Sequence, residues 1–363
     1  MINADRLLQT FLDLVQIDNV SGQEAAIATH VRGVLESLGL QTTVDERYNV
    51  IAHVPGEGEP ILLNAHLDSV TPCQGVRPIV ADGVVRSSGD TVLGADDLAG
   101  VAAIIEGVCS TLERGGTHRA ADILFTVQEE TGLVGAATVD LNLFQARSGF
   151  TFDAGGEFGG ITIGAPSQDS LHIIVRGRAS HAGVAPELGI SAITVAGHAL
   201  ARMPLGRIDF ETTANIGIIQ GGSATNIVTP LVEMWGEARS HDQEKLVAQV
   251  KAMVVAVEDA ARQFGADVEI EISHQYDAYR FDTEHPLVQQ AAQELRAMGV
   301  EPRFEVSGGG SDVNMFINRG LNIVNLSVGY QEIHSTNEWI ALTDLNRTAE
   351  LVARLLDNSP LPA

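Results

Sequence analysis

Positive charge, cysteine, aromatic residues and long apolar runs are all scarce in this chain of 363 residues. Lysine and arginine number 22 against 47 aspartates and glutamates, a formal net charge of -25. A polyanion or an anionic bilayer would be repelled over most of such a surface, which argues against nucleic-acid and membrane partners. Only Cys73 and Cys109 are present, without a CxxC or a Cys/His pairing. Thiolate metal sites and a disulfide framework are therefore not expected, and a reducing cytoplasm fits. No segment approaches about 18 consecutive apolar residues, so no membrane span is expected. Asp5, Arg6 and Asp13 interrupt the first 14 residues, which do not read as a signal peptide.

What is present is an ordinary globular composition, 45% hydrophobic, in a chain too long for a single core. Leu7, Leu8, Phe11, Leu12 and Val15 form one helical stripe. Ile27, Val31, Val34, Leu35 and Leu38 form another, with Ser21 and Glu24 as a capping box and Gly39 as a stop. Short apolar runs at 61–63 and 123–127 then alternate with a helical pattern through Val101, Ile104, Ile105 and Val108. Buried strands alternating with helices predict the α/β class, with a mixed, mainly parallel sheet flanked by helices. From about Ser170 the texture changes. Runs at 171–175, 208–212, 216–219 and 268–272 read as strands, and 190–203 and 242–264 as helices, the second begun by a Ser240/Gln243 capping box. This order describes a small α+β sandwich. Beyond it, His285-Pro286 opens a further helix and 324–328 reads as a buried strand. The resulting division is a catalytic domain of 1–168 and 276–363, interrupted by an inserted lid at 169–275.

Acids and histidines recur where apolar runs end. In ILLNAHLDSV, His66 and Asp68 share one face of a strand, so the carboxylate can hold the second imidazole nitrogen of a metal ligand, or the pair is a structural hydrogen bond. In LGADDLAG, Asp96 and Asp97 precede a helix, where acids either complement its dipole or bridge two cations. Glu129 and Glu130 in FTVQEETGLVG follow a strand and point in different directions. One can ligate while the other reaches a water, unless both are solvent-facing turn residues. Asp153 ends GFTFD, and His334 in GYQEIHSTNEW follows the last strand. Together these hard or borderline N and O donors suit zinc, manganese or cobalt. Two divalent ions would offset three carboxylates and a hydroxide.

The run of H-x-D, G-A-D-D, E-E, TFDAGG and a late histidine resembles the two-metal exopeptidases and amidohydrolases that include peptidase T, carboxypeptidase G and the aminoacylases. The likeness covers nearly the whole chain and leans toward the tripeptidase branch. It implies that His66 and Asp153 hold one ion, Glu130 and His334 the other, and that Asp96 bridges them, with Asp68 orienting His66 and Glu129 as general base. It also implies a cis peptide between Asp96 and Asp97. Leu98 stands where the family commonly has lysine. In ASHAGVAPELGISA, His181 corresponds to a group that stabilises the oxyanion, although alone it reads first as a loop histidine packed in its own domain. Asn226 in GGSATNIVTP and Arg239 in EARSHD match substrate contacts, Arg239 as a carboxylate partner or otherwise a surface ion pair. Gly309 and Gly310, within the Gly308–Gly310 run, leave backbone open to a ligand. The resemblance implies a metallopeptidase that cleaves short peptides with two divalent ions, Zn2+ foremost, through a water the ions activate, and a homodimer built through the lid. An N-acyl amino acid deacylase or a carboxypeptidase would use the same residues. A two-metal phosphoesterase lacks its Arg/Lys cluster here, and an inactive metal-binding protein would have little use for Glu129.

Overall fold

Strands that are apolar on both faces can be satisfied only inside a covered sheet, and four of them form its centre. In the computed structural model, which describes residues 1–357, Glu57–His66 lies between Arg119–Thr126 and Ser148–Ala154. Asn322–Ser327 follows beyond Ser148–Ala154, and all four strands are parallel. Antiparallel strands extend the sheet: Val50–Val54 and Gln41–Val44 on one side, Gly160–Ala165 on the other. Among the described residues the sheet has nine strands. Its core includes Ile61, Leu63, Ile123, Phe125, Phe150 and Val324. The helix Ala95–Arg114 is buried over most of its surface. Gly107 is what lets Leu342–Leu355 pack against it, since a Cβ there would lie 2.6 Å from Val352 Cγ1 and 2.9 Å from Ala349 O. The parallel core has one functional consequence: the carboxyl ends of four strands open at the same edge, where α/β sheets place their ligands.

This first compact unit comprises Met1–Ile163, Arg280–Val306 and the chain from Ser311 onward; the second comprises Gly164–Tyr279 with Ser307–Gly310. In the second unit five antiparallel strands run in the order Gly206–Arg207, Thr212–Gly221, Leu231–Ser240, Ser167–Arg176, Asp267–Tyr276. The helices Ala192–Leu200 and Gln243–Phe264 contribute Val195, Ala199, Leu246, Met253 and Val257 to its separate core. The α/β class with an inserted α+β sandwich is thus the architecture. No helix among the described residues is long and apolar enough to cross a membrane.

Local expectations need correction. Residues 208–211 are not a strand, which begins only at Thr212: Ile208 and Phe210 are exposed, and Glu211 N donates to Asp209 Oδ1 to close a bend. The run 216–219 belongs to Thr212–Gly221, and its partner Leu231–Ser240 escaped the apolar-run reading. That strand alternates, with Val232, Met234 and Ala238 inward and Glu233, Trp235, Glu237 and Arg239 on the other face. Asp242, not Ser240, caps the long helix, accepting from Lys245 N. Ser21 and Glu24 form no capping box either. Glu24 accepts from Gly22 N and Gln128 N, while the Ser21 hydroxyl donates to Asp68 Oδ2.

Candidate metal centre

His66 is the last residue of its strand. Its Nδ1–H donates to the main-chain carbonyl of Asp68 at 2.9 Å, which leaves the Nε2 lone pair available to a cation. That nitrogen lies 3.3 Å from Asp96 Oδ1 and 3.7 Å from Asp153 Oδ1. The Asp68 carboxylate does not hold the imidazole as the sequence pattern implied, being 3.6 Å from Nδ1. The strand has already ended at His66, so strict alternation fails and the carbonyl swings into the place expected for the carboxylate. The buried carboxylate instead accepts from Glu129 N at 2.9 Å and Glu130 N at 3.2 Å. Asp68 therefore fixes the turn that carries both glutamates.

Asp96 and Asp97 separate in the same way. The peptide between them is cis. Asp97 is fully buried and its Oδ2 accepts from His66 N at 3.1 Å, while Asp96 turns toward the imidazoles, with Oδ2 3.4 Å from His334 Nε2. Asp153 stands at the end of Ser148–Ala154, its main chain clamped by Asn325: Asp153 N donates to Asn325 Oδ1 and Asn325 Nδ2 to Asp153 O. The Tyr330 hydroxyl donates to Asp153 Oδ1 at 3.2 Å. His334, in the left-handed region with φ 57°, sits 3.1 Å from Glu130 Oε1.

These side chains converge in three overlapping triplets whose ligand atoms lie within 4.8 Å of one another: His66, Asp96 and Asp153; His66, Glu129 and Glu130; Asp96, Glu130 and His334. The donor set is short of positive charge. Burial pushes the carboxyls of Glu129, Asp153 and Asp97 well above the usual range. Burial also acts on Asp96, but the facing His334 and His66 outweigh it and hold Asp96 below that range. His334 is pushed up to about 10 by Asp96 and Glu130. Asp96 Oδ1 is buried without a well-aligned hydrogen bond. An imidazole nitrogen and a carboxylate oxygen aimed at one another at 3.3 Å suit a shared cation, so the residues present fit divalent ions.

The residues expected to meet substrate lie in the second unit. His181 is exposed, and its Nδ1 accepts from Gly183 N at 3.1 Å and Val184 N at 3.2 Å. The ring proton is therefore on Nε2, which can donate. Asn226 is adjacent, its main-chain oxygen accepting from Ala182 N. Arg239 is held by Glu237 through Nε and Nη2, each at 2.9 Å, and Gln168 Nε2 donates to the same glutamate. A Cβ at Gly309 would lie 3.4 Å from Arg239 Nη1, and one at Gly310 would strike the Tyr276 ring at 2.3 Å.

Residues 62–358 match the model of peptidase family M20/M25/M40. The chain belongs to this family. A tripeptidase from Staphylococcus aureus shares 38% identity at a TM-score of 0.91, with 98% of each chain covered. The aminopeptidase PepT from Bacillus cereus shares 40% identity at a TM-score of 0.85 over the same shares. The uncharacterised protein YqjE of Bacillus subtilis is 39% identical over 99% of this chain and all of its own length. The resemblance read from the sequence and the expectation of a peptidase are established by these likenesses.

In this M20 peptidase several residues that shape the centre carried no recognised signal. Glu338 is buried and its carboxylate accepts from Leu93, Gly94 and Asp96 main-chain N–H groups. Burial pushes its carboxyl up to about 7. Asp312, buried beside Thr126 and pushed up to about 6 by that burial, bonds the Thr126 hydroxyl. A glutamate four residues after His334 and an aspartate after a glycine run are visible in the sequence. Their partners are not.

Proposed function

We propose that this M20 peptidase is a two-metal exopeptidase that hydrolyses amide bonds of short peptides, in the manner of a tripeptidase or aminopeptidase. The observation that carries the reading is the set of overlapping ligand triplets, two of which share Asp96. In this reading His66 and Asp153 hold one ion, Glu130 and His334 the other, and Asp96 both. Zn2+ suits the mixed N/O set, which also accommodates Mn2+ or Co2+. When bound, the ions supply Lewis acidity toward the scissile carbonyl and make water a stronger acid.

The protein's own groups do the rest. Glu129, its main chain fixed by Asp68 and its carboxylate beside His66 and Glu130, takes the proton of the attacking water and returns it to the leaving amine. His181, with its proton on Nε2, donates to the developing oxyanion. Arg239 pairs with a substrate carboxylate, and Asn226, Gly309 and Gly310 line its backbone. The likeness to an aminopeptidase and a tripeptidase supports short peptides as substrates. The unpaired, buried Cys73 and Cys109 support a reducing cytoplasm. A homodimer through the second unit is part of the same proposal.

Two measurements test this. Peptides with free and blocked termini, assayed beside N-acyl amino acids, are expected to show turnover of free di- or tripeptides; turnover of acylated amino acids alone would assign a deacylase. Glu129→Gln is expected to keep its metal content and lose at least about 100-fold in kcat. Unchanged turnover in that variant would remove Glu129 from the role of base.

A further inference from the structure

We propose that Glu338 is a positioning residue that sets the metal affinity of the centre by holding Asp96 in place, an inference that rests on the ligand assignment above. Its side chain belongs to a residue only 1% exposed. Oε2 accepts from Leu93 N at 2.7 Å and Gly94 N at 2.8 Å, and Oε1 from Asp96 N at 2.9 Å. All three donors lie in the segment that delivers Asp96, at the start of a helix with no side-chain cap of its own. Asp96 N, in the first turn, has no intrahelical partner and needs an acceptor, as do the N–H groups of Gly94 and Leu93 just ahead of the helix. Glu338 supplies it from the far end of the chain.

The same residue governs the other side of the centre. Glu338 N donates to Ser335 O, closing the turn that follows His334, and Glu338 O accepts from Ser87 N at 3.0 Å. One residue thus joins the segment bearing the shared ligand to the segment bearing a terminal one. A carboxyl group suits this task because its two oxygens can accept from N–H groups on both sides of the segment at once. A glutamine of equal size offers one, and its amide would set N–H against N–H at either Asp96 or the Leu93/Gly94 pair. The clamp would then open on one side, and Asp96 would lose its fixed relation to His66 and His334.

The competing view is that Glu338 merely stabilises the fold, and the experiment separates the two. Glu106 is a matched control. It is equally buried, accepts from Asn3 N, Arg6 and the Ser110 hydroxyl, and belongs to none of the ligand triplets. Full-length wild type, Glu338→Gln, Glu106→Gln and Asp96→Asn would be freed of metal, and Co2+ affinity measured by competition with a chromophoric chelator. The visible absorption of bound Co2+ and the apo-protein Tm would be recorded alongside. Glu338→Gln is expected to bind Co2+ about 10- to 100-fold more weakly, with displaced absorption bands, as follows when the support of a ligand is removed. Glu106→Gln is expected to lose Tm while keeping wild-type affinity and spectrum. If Asp96→Asn loses affinity while Glu338→Gln keeps it, the positioning role is overturned and the ligand assignment survives; if Asp96→Asn also keeps it, the ligand assignment falls first. Should Glu338→Gln fail to fold, the unaltered protein still decides. Linkage is reciprocal, so Co2+ loading must slow hydrogen exchange at the amides of Leu93, Gly94 and Asp96. Equal exchange with and without Co2+ would overturn the proposal.

Discussion

An aspartate two positions after a candidate metal-ligating histidine invites the inference that it grips the imidazole. Here the main-chain oxygen of Asp68 does so, and the carboxylate holds the amides of Glu129 and Glu130. The distinction has a measurable consequence. Asp68→Ala leaves the hydrogen bond that fixes the His66 tautomer in place but releases the turn of the two glutamates. It is expected to lower kcat by about 10- to 100-fold. Metal titration of that variant should show a retained site at His66; an equal loss at every site would return Asp68 to the imidazole. The case also shows what a sequence can disclose at this scale. His66, Asp96, Glu129, Glu130, Asp153 and His334 were legible because each follows an apolar run and lands at one sheet edge. The tasks of Asp68, Ser21, Asn325 and Glu338 were not, because each is defined by a hydrogen-bond partner remote along the chain.

Among elements, apolar periodicity identified the parallel core and both long helices, because burial on two faces or on one stripe leaves a strong pattern. The strand Leu231–Ser240 was missed because its outward face carries Glu233, Glu237 and Arg239, which dilute any contiguous run. Yet that outward face holds the ion pair between Arg239 and Glu237, and so the residue proposed to meet a substrate carboxylate. Packing between helices depends on absences equally hard to read. Gly107 sits where a methyl group would meet Val352 and the carbonyl of Ala349. Gly107→Ala forces two helices apart, and the local helix propensity it gains does not offset this. Chemical denaturation is expected to show a loss of about 1–3 kcal/mol. Unchanged or raised stability would mean that the Leu342–Leu355 helix shifts freely. kcat per folded molecule should stay near wild type, since the contact lies away from the ligand triplets.

For the whole molecule, a net charge of -25 is a standing electrostatic load, and the centre encloses the carboxyls Asp96, Asp97, Glu129, Asp153 and Asp312, of which burial pushes all but Asp96 above the usual range, so that ionising them costs free energy. Cations that bind the folded chain and not the unfolded one must therefore stabilise it. With free metal at 100 times its Kd the gain is about 2.7 kcal/mol per site. Chelation is expected to lower the Tm, and readdition of Zn2+ to restore it; a Tm indifferent to chelator would mean that the fold does not depend on filling the centre. The negative sign of the chain was plain from composition, and the gathering of acids at one sheet edge from their places at the ends of apolar runs. The exact division of labour among the acids required the folded chain.

The four parallel strands that open at one edge are drawn from distant parts of the chain, and this imposes an order in time. Synthesis delivers His66, Asp96 and Asp153 long before His334 and Glu338, while the strand Asn322–Ser327 that completes the parallel core also arrives late. A growing chain can thus offer one three-residue site before its neighbour exists. Yet Asp153 is clamped by Asn325 and Asp96 by Glu338, so even the early triplet takes its final form only when the last segments dock.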